Sequence, residues 1–177
     1  MFEPHKPLEI HDIKVRDPLA HEVVVRTAAA GLCHSDLHFM EGLYPTPMPI
    51  ILGHESAGVV ERVGSEVEYV QPGDHVITCL SVFCGTCKNC TSGRTQLCLN
   101  TAVKQPPGQA DRFEWDRPEK INQFANLSSY AEQMLVHENA LVKVRKDMPL
   151  DRGALIGCGV ITGFGAAVNT AKVRFND

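Results

Sequence analysis

No apolar run in this 177-residue chain approaches the roughly 18 residues that a membrane-spanning helix needs. No basic run exceeds two residues, and 17 Lys plus Arg stand against 21 Asp plus Glu, a net charge of -4. Binding to a phosphate backbone therefore has little electrostatic footing, and nucleic acid is not an expected partner. The start, Met1-Phe2-Glu3-Pro4-His5-Lys6-Pro7, lacks the apolar stretch of a secretory signal. There is no internal repeat and no low-complexity segment. These absences point to a cytoplasmic chain with reduced thiols, so its seven cysteines need an explanation as metal ligands, catalytic groups or buried apolar residues. Hydrophobic content of 44% and charged content of 21% are ordinary for a globular protein. The length fits one domain, or one and the beginning of another.

The patterning is mainly that of short strands. Leu8–Val15 alternates roughly, and Glu22–Ala30 is a Val- and Ala-rich run fit for a more buried strand. Ser35 reads as the N-cap of a short helix that Gly42 stops. Pro45, Pro47 and Pro49 then impose extended loop. Ser56–Val63 reads as a strand with a close backbone approach at Gly58. Gln71-Pro72-Gly73-Asp74 is a turn before a strand at His75–Leu80. Residues 84–98 form a Cys-rich loop, and 99–127 a polar irregular segment with Pro106-Pro107-Gly108. Ser129–Val136 and Ala140–Val144 read as further strands, and a helical run covers about Gly159 to Lys172. Short strands with regular turn signals favour a barrel or sandwich.

Cys84, Cys87, Cys90 and Cys98 are spaced C-x2-C-x2-C-x7-C. Two-residue gaps let consecutive thiolates turn inward onto one ion, and a fourth thiolate closes a tetrahedron with no open vertex, the form of a structural zinc site. An iron–sulfur run would place the fourth cysteine three residues on and follow it with Pro. Here the gap is seven and Leu99 follows, so zinc is the reading. Cys33, Cys79 and Cys158 lie elsewhere, and by spacing alone each reads as a small core residue. Glycines beside Cys33, His54 and Cys158 set those three apart; Cys79 has no such setting.

Five motifs occur in order: Gly31-Leu32-Cys33-His34-Ser35-Asp36-Leu37-His38, Gly53-His54-Glu55-Ser56-Ala57-Gly58 with Gly64 following, Pro72-Gly73-Asp74-His75-Val76, the cysteine lobe, and Gly157-Cys158-Gly159-Val160-Ile161-Thr162-Gly163. In these the chain resembles the zinc-dependent medium-chain alcohol dehydrogenase family, in particular its N-terminal catalytic domain. The resemblance implies a mainly β fold with short helices (α+β), a partly open GroES-like β-barrel over residues 1–158 with a zinc lobe at 84–98. Residues 159–177 would begin the helix leading into a Rossmann domain.

The resemblance implies two Zn2+ per chain: a structural ion on Cys84, Cys87, Cys90 and Cys98, and a catalytic ion on Cys33, His54 and Cys158, with one vertex left for water or substrate. Asp36 and Glu55 would stand behind those ligands, one near the metal and the other orienting the His54 ring. Ser35 would start a proton relay through the cofactor ribose to His38. His34 and Thr162 match cofactor-contacting positions, and Leu80 a substrate-pocket position. The implied activity is hydride transfer between a primary or secondary alcohol (or an aldehyde or ketone) and NAD or NADP, in an enzyme that is a homo-oligomer.

The near-match Gly157-x-Gly159 has Thr162 where a third glycine belongs, and only Ala154-Leu155-Ile156 precedes it, too little for a nucleotide-binding strand. The cofactor domain is therefore expected beyond residue 177, and these residues alone are expected to bind zinc without oxidising alcohol. Two rivals remain at this point. One is a dehydrogenase of formaldehyde–thiol adducts, with segment 99–127 serving a bulkier substrate. The other is a non-catalytic zinc-stabilised interaction module, which needs only the lobe cysteines.

Overall fold

The computed structural model describes residues 1–100, 103–104 and 109–174; the Pro106-Pro107-Gly108 loop lies outside them. Its centre is a five-stranded antiparallel sheet in the order β8-β2-β4-β5-β9, made of β2 (Glu22–Ala30), β4 (Ser56–Val63), β5 (His75–Thr78), β8 (Gln133–His137) and β9 (Leu141–Val144). β2 does not alternate because both its faces are covered. Val23 and Val25 join Val60, Val76, Met134 and Val136 in the main core, while Val24 on the other face is also fully buried. Irregular register between Val24 and Val25 and between Thr27 and Ala29 bends the β2–β4 pair, as sheet closure requires. Gly58 sits at the crossing, where a Cβ would come within 2.3 Å of the Arg26 carbonyl oxygen. The turn before β5 uses Gly73 at φ +88°, and the Asp74 amide donates to Gln71 O at 3.0 Å.

Smaller pieces flank this sheet. β1 (Lys14–Val15) pairs with β6 (Phe113–Glu114), and β3 (Ile50–Ile51) runs parallel to β7 (Asn122–Gln123). Helix α1 covers His34–Met40, α2 Lys88–Thr91, α3 Leu150–Gly153 and α4 Gly159–Gly165, which widens into a π-turn over Ala166–Thr170. The architecture is the mainly β, partly open arrangement expected.

Several bounds differ from the sequence reading. Only Lys14–Val15 of the alternating N-terminal run pairs, since Ile10 and Leu8 are exposed and find no surface to cover. α1 begins one residue before Ser35 with Cys33 at the N-cap and no side-chain cap bond. The β5 strand stops at Thr78, and β8 starts at Gln133 rather than Ser129, because Ser129 and Tyr130 bond across to Gly53 and Leu52. Among the described residues no single helix is long and apolar enough to cross a membrane; the bent pair Leu150–Gly157 and Gly159–Thr170, 48° apart, matches by length and composition only.

A buried ion cluster ties the edges of this fold together. The Glu22 carboxylate accepts from Arg16 Nη1 at 2.6 Å, Arg112 Nε at 3.1 Å and the Leu19 amide at 3.0 Å, and both Glu22 and Arg112 are 3% exposed. Burial pushes the Glu22 carboxyl up, but the Arg16 and Leu19 hydrogen bonds and the two guanidinium charges outweigh it and hold it below the usual glutamate range. Its stabilisation is therefore complete above the unfolded-state pKa and is lost as pH falls through the folded value. Glu22→Gln strands two guanidinium groups, and we expect it to cost about 3–5 kcal/mol at neutral pH. In urea unfolding, the difference between wild type and E22Q should shrink as the pH drops below about 4; a pH-independent difference would contradict this assignment.

Candidate metal centres

The four lobe cysteines converge through local backbone geometry. Cys87 caps α2, a 3-10 turn at Thr95–Leu97 leads into Cys98, and Gly85 and Gly93 take φ of +77° and +78° at the two bends, where side chains would be strained. Cys87 Sγ lies 3.5 Å from Cys90 Sγ and 4.0 Å from Cys98 Sγ, and Cys84 Sγ lies 3.9 Å from Cys90 Sγ. All four sulfurs fall within 4.8 Å of one another. A tetrahedron with Zn–S bonds of about 2.3 Å has edges of about 3.8 Å. The set fits one ion and is too tight to surround a multi-iron cluster. Backbone amides of Cys84 and Cys87 point at Cys98 Sγ and Cys84 Sγ at 3.3 and 3.4 Å. The Thr86 hydroxyl and amide, with the Cys87 amide, bring the Cys84 thiol down to about 5. Burial and the neighbouring Cys87 push Cys90 up to about 11. Crowded sulfurs of this kind all become thiolates once a cation sits among them.

The second group assembles from distant parts of the chain. Cys33 precedes α1, His54 precedes β4, and Cys158 precedes α4. Cys33 Sγ is 3.8 Å from Cys158 Sγ, which is 3.4 Å from His54 Nε2. The three donors lie within 4.8 Å of one another, and these spacings are the edges of a tetrahedron with one vertex unfilled by protein. Burial raises the Cys33 thiol, but the Ser35 amide and hydroxyl, with Cys158 and His54, outweigh it and hold it below the ordinary value. Burial and the charge on Cys33 push Cys158 up to about 11.

Carboxylates fix this group from behind. Asp36 Oδ2 faces His54 Nδ1 at 3.3 Å with both side chains 4% exposed, and neither atom has another hydrogen-bond partner. The Gly53 amide donates to Asp36 Oδ1 at 3.0 Å. Asp36 raises the His54 imidazole against burial. The pairing leaves Nε2 directed at the sulfurs, the arrangement of a metal-binding histidine. Phe124 braces the ring edge-on at 5.6 Å. Glu55 Oε1 accepts from the Gly159 amide at 2.8 Å, while the Glu55 carbonyl accepts from the Gly31 amide at 2.7 Å. Glu55 thus ties the Cys33 arm to the Cys158 arm. Gly31 leaves room for it, since a Cβ there would meet Glu55 Oε2 at 2.5 Å.

The other sequence candidates fall around these ligands. Ser35 bonds to Cys33, and the Thr162 side chain to Cys158. His34 and His38 stack edge to face at 4.6 Å, and His38 continues to Tyr44 at 5.6 Å. Leu80, 39% exposed, lies beyond β5 and its carbonyl accepts from Asn126 at 3.5 Å. Cys79 lies outside both cysteine groups. Gly157 is explained by packing, because a Cβ would come 2.3 Å from Thr78 O. Sequence reasoning missed Tyr130, whose hydroxyl donates to Gly31 O at 3.3 Å. Burial first, and then the Asp36 carboxylate, push this phenol well above its ordinary range, so it stays a donor.

The family model for the alcohol dehydrogenase GroES-like domain matches residues 19–146. The S-(hydroxymethyl)glutathione dehydrogenase of Saccharomyces cerevisiae is 41% identical over 181 residues, covering 99% of this chain and 47% of that protein. An alcohol dehydrogenase zinc-binding domain protein from Burkholderia ambifaria superposes with a TM-score of 0.87 at 36% identity, over 98% of this chain and 48% of that one. The benzyl alcohol dehydrogenase of Acinetobacter calcoaceticus gives 0.81 at 35% identity, over 94% and 45%. The chain spans about half the length of these relatives. With the family match extending over most of its residues, the chain belongs to the alcohol dehydrogenase GroES-like domain family.

Proposed function

We propose that these residues form the catalytic domain of a zinc-dependent alcohol dehydrogenase, which moves hydride between an alcohol or carbonyl compound and NAD or NADP. The observation that carries this is the pair of unlike donor sets: four thiolates that close a tetrahedron, and two thiolates with one imidazole that leave a vertex open. A structural module has no use for the second. Cys84, Cys87, Cys90 and Cys98 would hold a structural zinc, and Cys33, His54 and Cys158 a catalytic one. When bound at the open set, zinc supplies Lewis-acid polarisation of a substrate oxygen.

The chain's own groups would do the rest. Asp36 keeps His54 in the tautomer whose Nε2 points at the site. Glu55 holds the Cys33 and Cys158 arms at their spacing. Ser35 and His38, three residues apart, share one face of α1 and offer a hydroxyl and an imidazole to carry the substrate proton outward by way of the cofactor ribose. His34 and Thr162 would contact the cofactor and Leu80 the substrate. The rest of the enzyme, with its cofactor domain, would lie beyond this chain, and we place the whole in the cytoplasm as a homo-oligomer.

The 41% identity to the yeast enzyme favours a second reading of the substrate, a hydroxymethyl thiol adduct. Steady-state kinetics of the full-length enzyme separates the two. A kcat/KM for S-(hydroxymethyl)glutathione well above that for an alcohol series would establish the adduct as substrate; the opposite order would exclude it. Zinc content tests the wider claim, since a non-catalytic module holds one ion per chain and the enzyme two.

For His38 we expect that His38→Ala lowers kcat by about 100-fold or more near neutral pH, as loss of a positioned proton carrier does, with both zinc ions retained. A kcat unchanged across the pH range would remove His38 from the proton path.

A further inference from the structure

Tyr130 has no role in the reading above, yet it touches both the segment that leads into Cys33 and the segment that leads into His54. Its hydroxyl donates to the Gly31 carbonyl at 3.3 Å, two residues before Cys33. Its backbone amide donates to Leu52 O at 3.0 Å, and its ring packs into the cluster of Ile50, Leu52 and Phe124. The fit on the His54 side is close. Gly53, at φ +92°, is the one residue type that fits there, because a Cβ would stand 2.5 Å from Tyr130 Cδ1.

We infer that Tyr130 is a positioning residue of the three-ligand site, joining the segment before His54, which its amide and ring hold, to the segment before Cys33, which its hydroxyl holds. The inference rests on the proposal that Cys33, His54 and Cys158 hold zinc. The physical reason is geometric. Cys33 and His54 come from separate segments, and Asp36, on α1 beside Cys33, ties them only through the His54 ring and the Gly53 amide. A residue whose amide and ring sit on Leu52 and Gly53 and whose hydroxyl reaches the Gly31 carbonyl sets their separation, and with it the distance between a sulfur and a nitrogen that must share one ion. Groups that hold metal ligands in this way alter affinity by about 10- to 100-fold when removed.

The test is Tyr130→Phe, which removes the hydroxyl and keeps the ring. Zinc affinity is measured by chelator competition. In parallel, cobalt(II) is loaded into the three-ligand site with zinc kept in the lobe, and its visible ligand-field bands are recorded. We expect the three-ligand site to bind zinc about tenfold more weakly and its cobalt bands to shift, with the lobe affinity unchanged and the thermal midpoint unchanged in protein that carries zinc in the lobe alone. A purely structural tyrosine would lower the midpoint and weaken both sites together, and that result overturns the inference. Unchanged affinity and bands in Y130F also overturn it, while leaving the zinc proposal intact. Wild-type protein that takes up a single ion, at the lobe, defeats the inference and the zinc proposal together.

Discussion

Replacing Cys33 with alanine should take the zinc content from two ions per chain to one, and in the full-length enzyme should lower kcat/KM by about a thousandfold or more. Among the described residues the open group has three protein donors within 4.8 Å, so losing one sulfur leaves Cys158 and His54 to hold the ion. Lewis-acid stabilisation contributes several kcal/mol to such a transition state, and about 4 kcal/mol corresponds to that rate loss. The fold should survive, because Cys33 is only partly buried and lies outside the main core. The check is metal analysis beside steady-state kinetics. Two ions retained in C33A would remove Cys33 from the ligand set, and one ion with undiminished turnover would remove the metal from the reaction.

Cys90→Ser should have the second large effect, on stability. Cys90 is the most buried of the lobe ligands at 8% exposure, and structural zinc sites carry apparent binding free energies of about 10–16 kcal/mol. Part of that orders residues 84–98, and the remainder stabilises the sheet through Cys84 and Cys98, which pack against its core beside Val82. We expect loss of the lobe ion, new protease cleavage within 84–98, and a thermal midpoint lower by about 10 °C, equivalent to about 3–5 kcal/mol for a chain of this size. Zinc on Cys33, His54 and Cys158 should remain. An unchanged midpoint with two ions bound would contradict the structural role.

What the sequence disclosed depended on how local the cause was. Glu22–Ala30 and Ser56–Val63 form strands at the bounds that their Val-rich runs and turn residues indicate. The lobe was legible because its four ligands lie within one short loop. Cys33, His54 and Cys158 were not legible from spacing: Cys33 and Cys158 are 125 residues apart, and alone each looks like a small core residue. Neighbouring glycines set them apart, and the resemblance of the surrounding motifs made them a ligand set. The link from Tyr130 to Gly31 spans 99 residues and that from Arg112 to Glu22 spans 90. Neither has a periodic or compositional signature, because such contacts exist only once the sheet has closed. Leu8–Val15 shows the converse error, where an alternating pattern forms almost no strand because Ile10 and Leu8 have nothing to pack on.

Zinc K-edge X-ray absorption of the metal-loaded chain bears most directly on all of this. One closed and one open centre, equally filled, should give an average first shell of about three sulfurs and one nitrogen or oxygen per ion, and C33A should move it to four sulfurs with half the metal. A pure four-sulfur shell in the wild type would mean that the imidazole–thiolate group holds no zinc, and the catalytic reading would fail while the lobe stood.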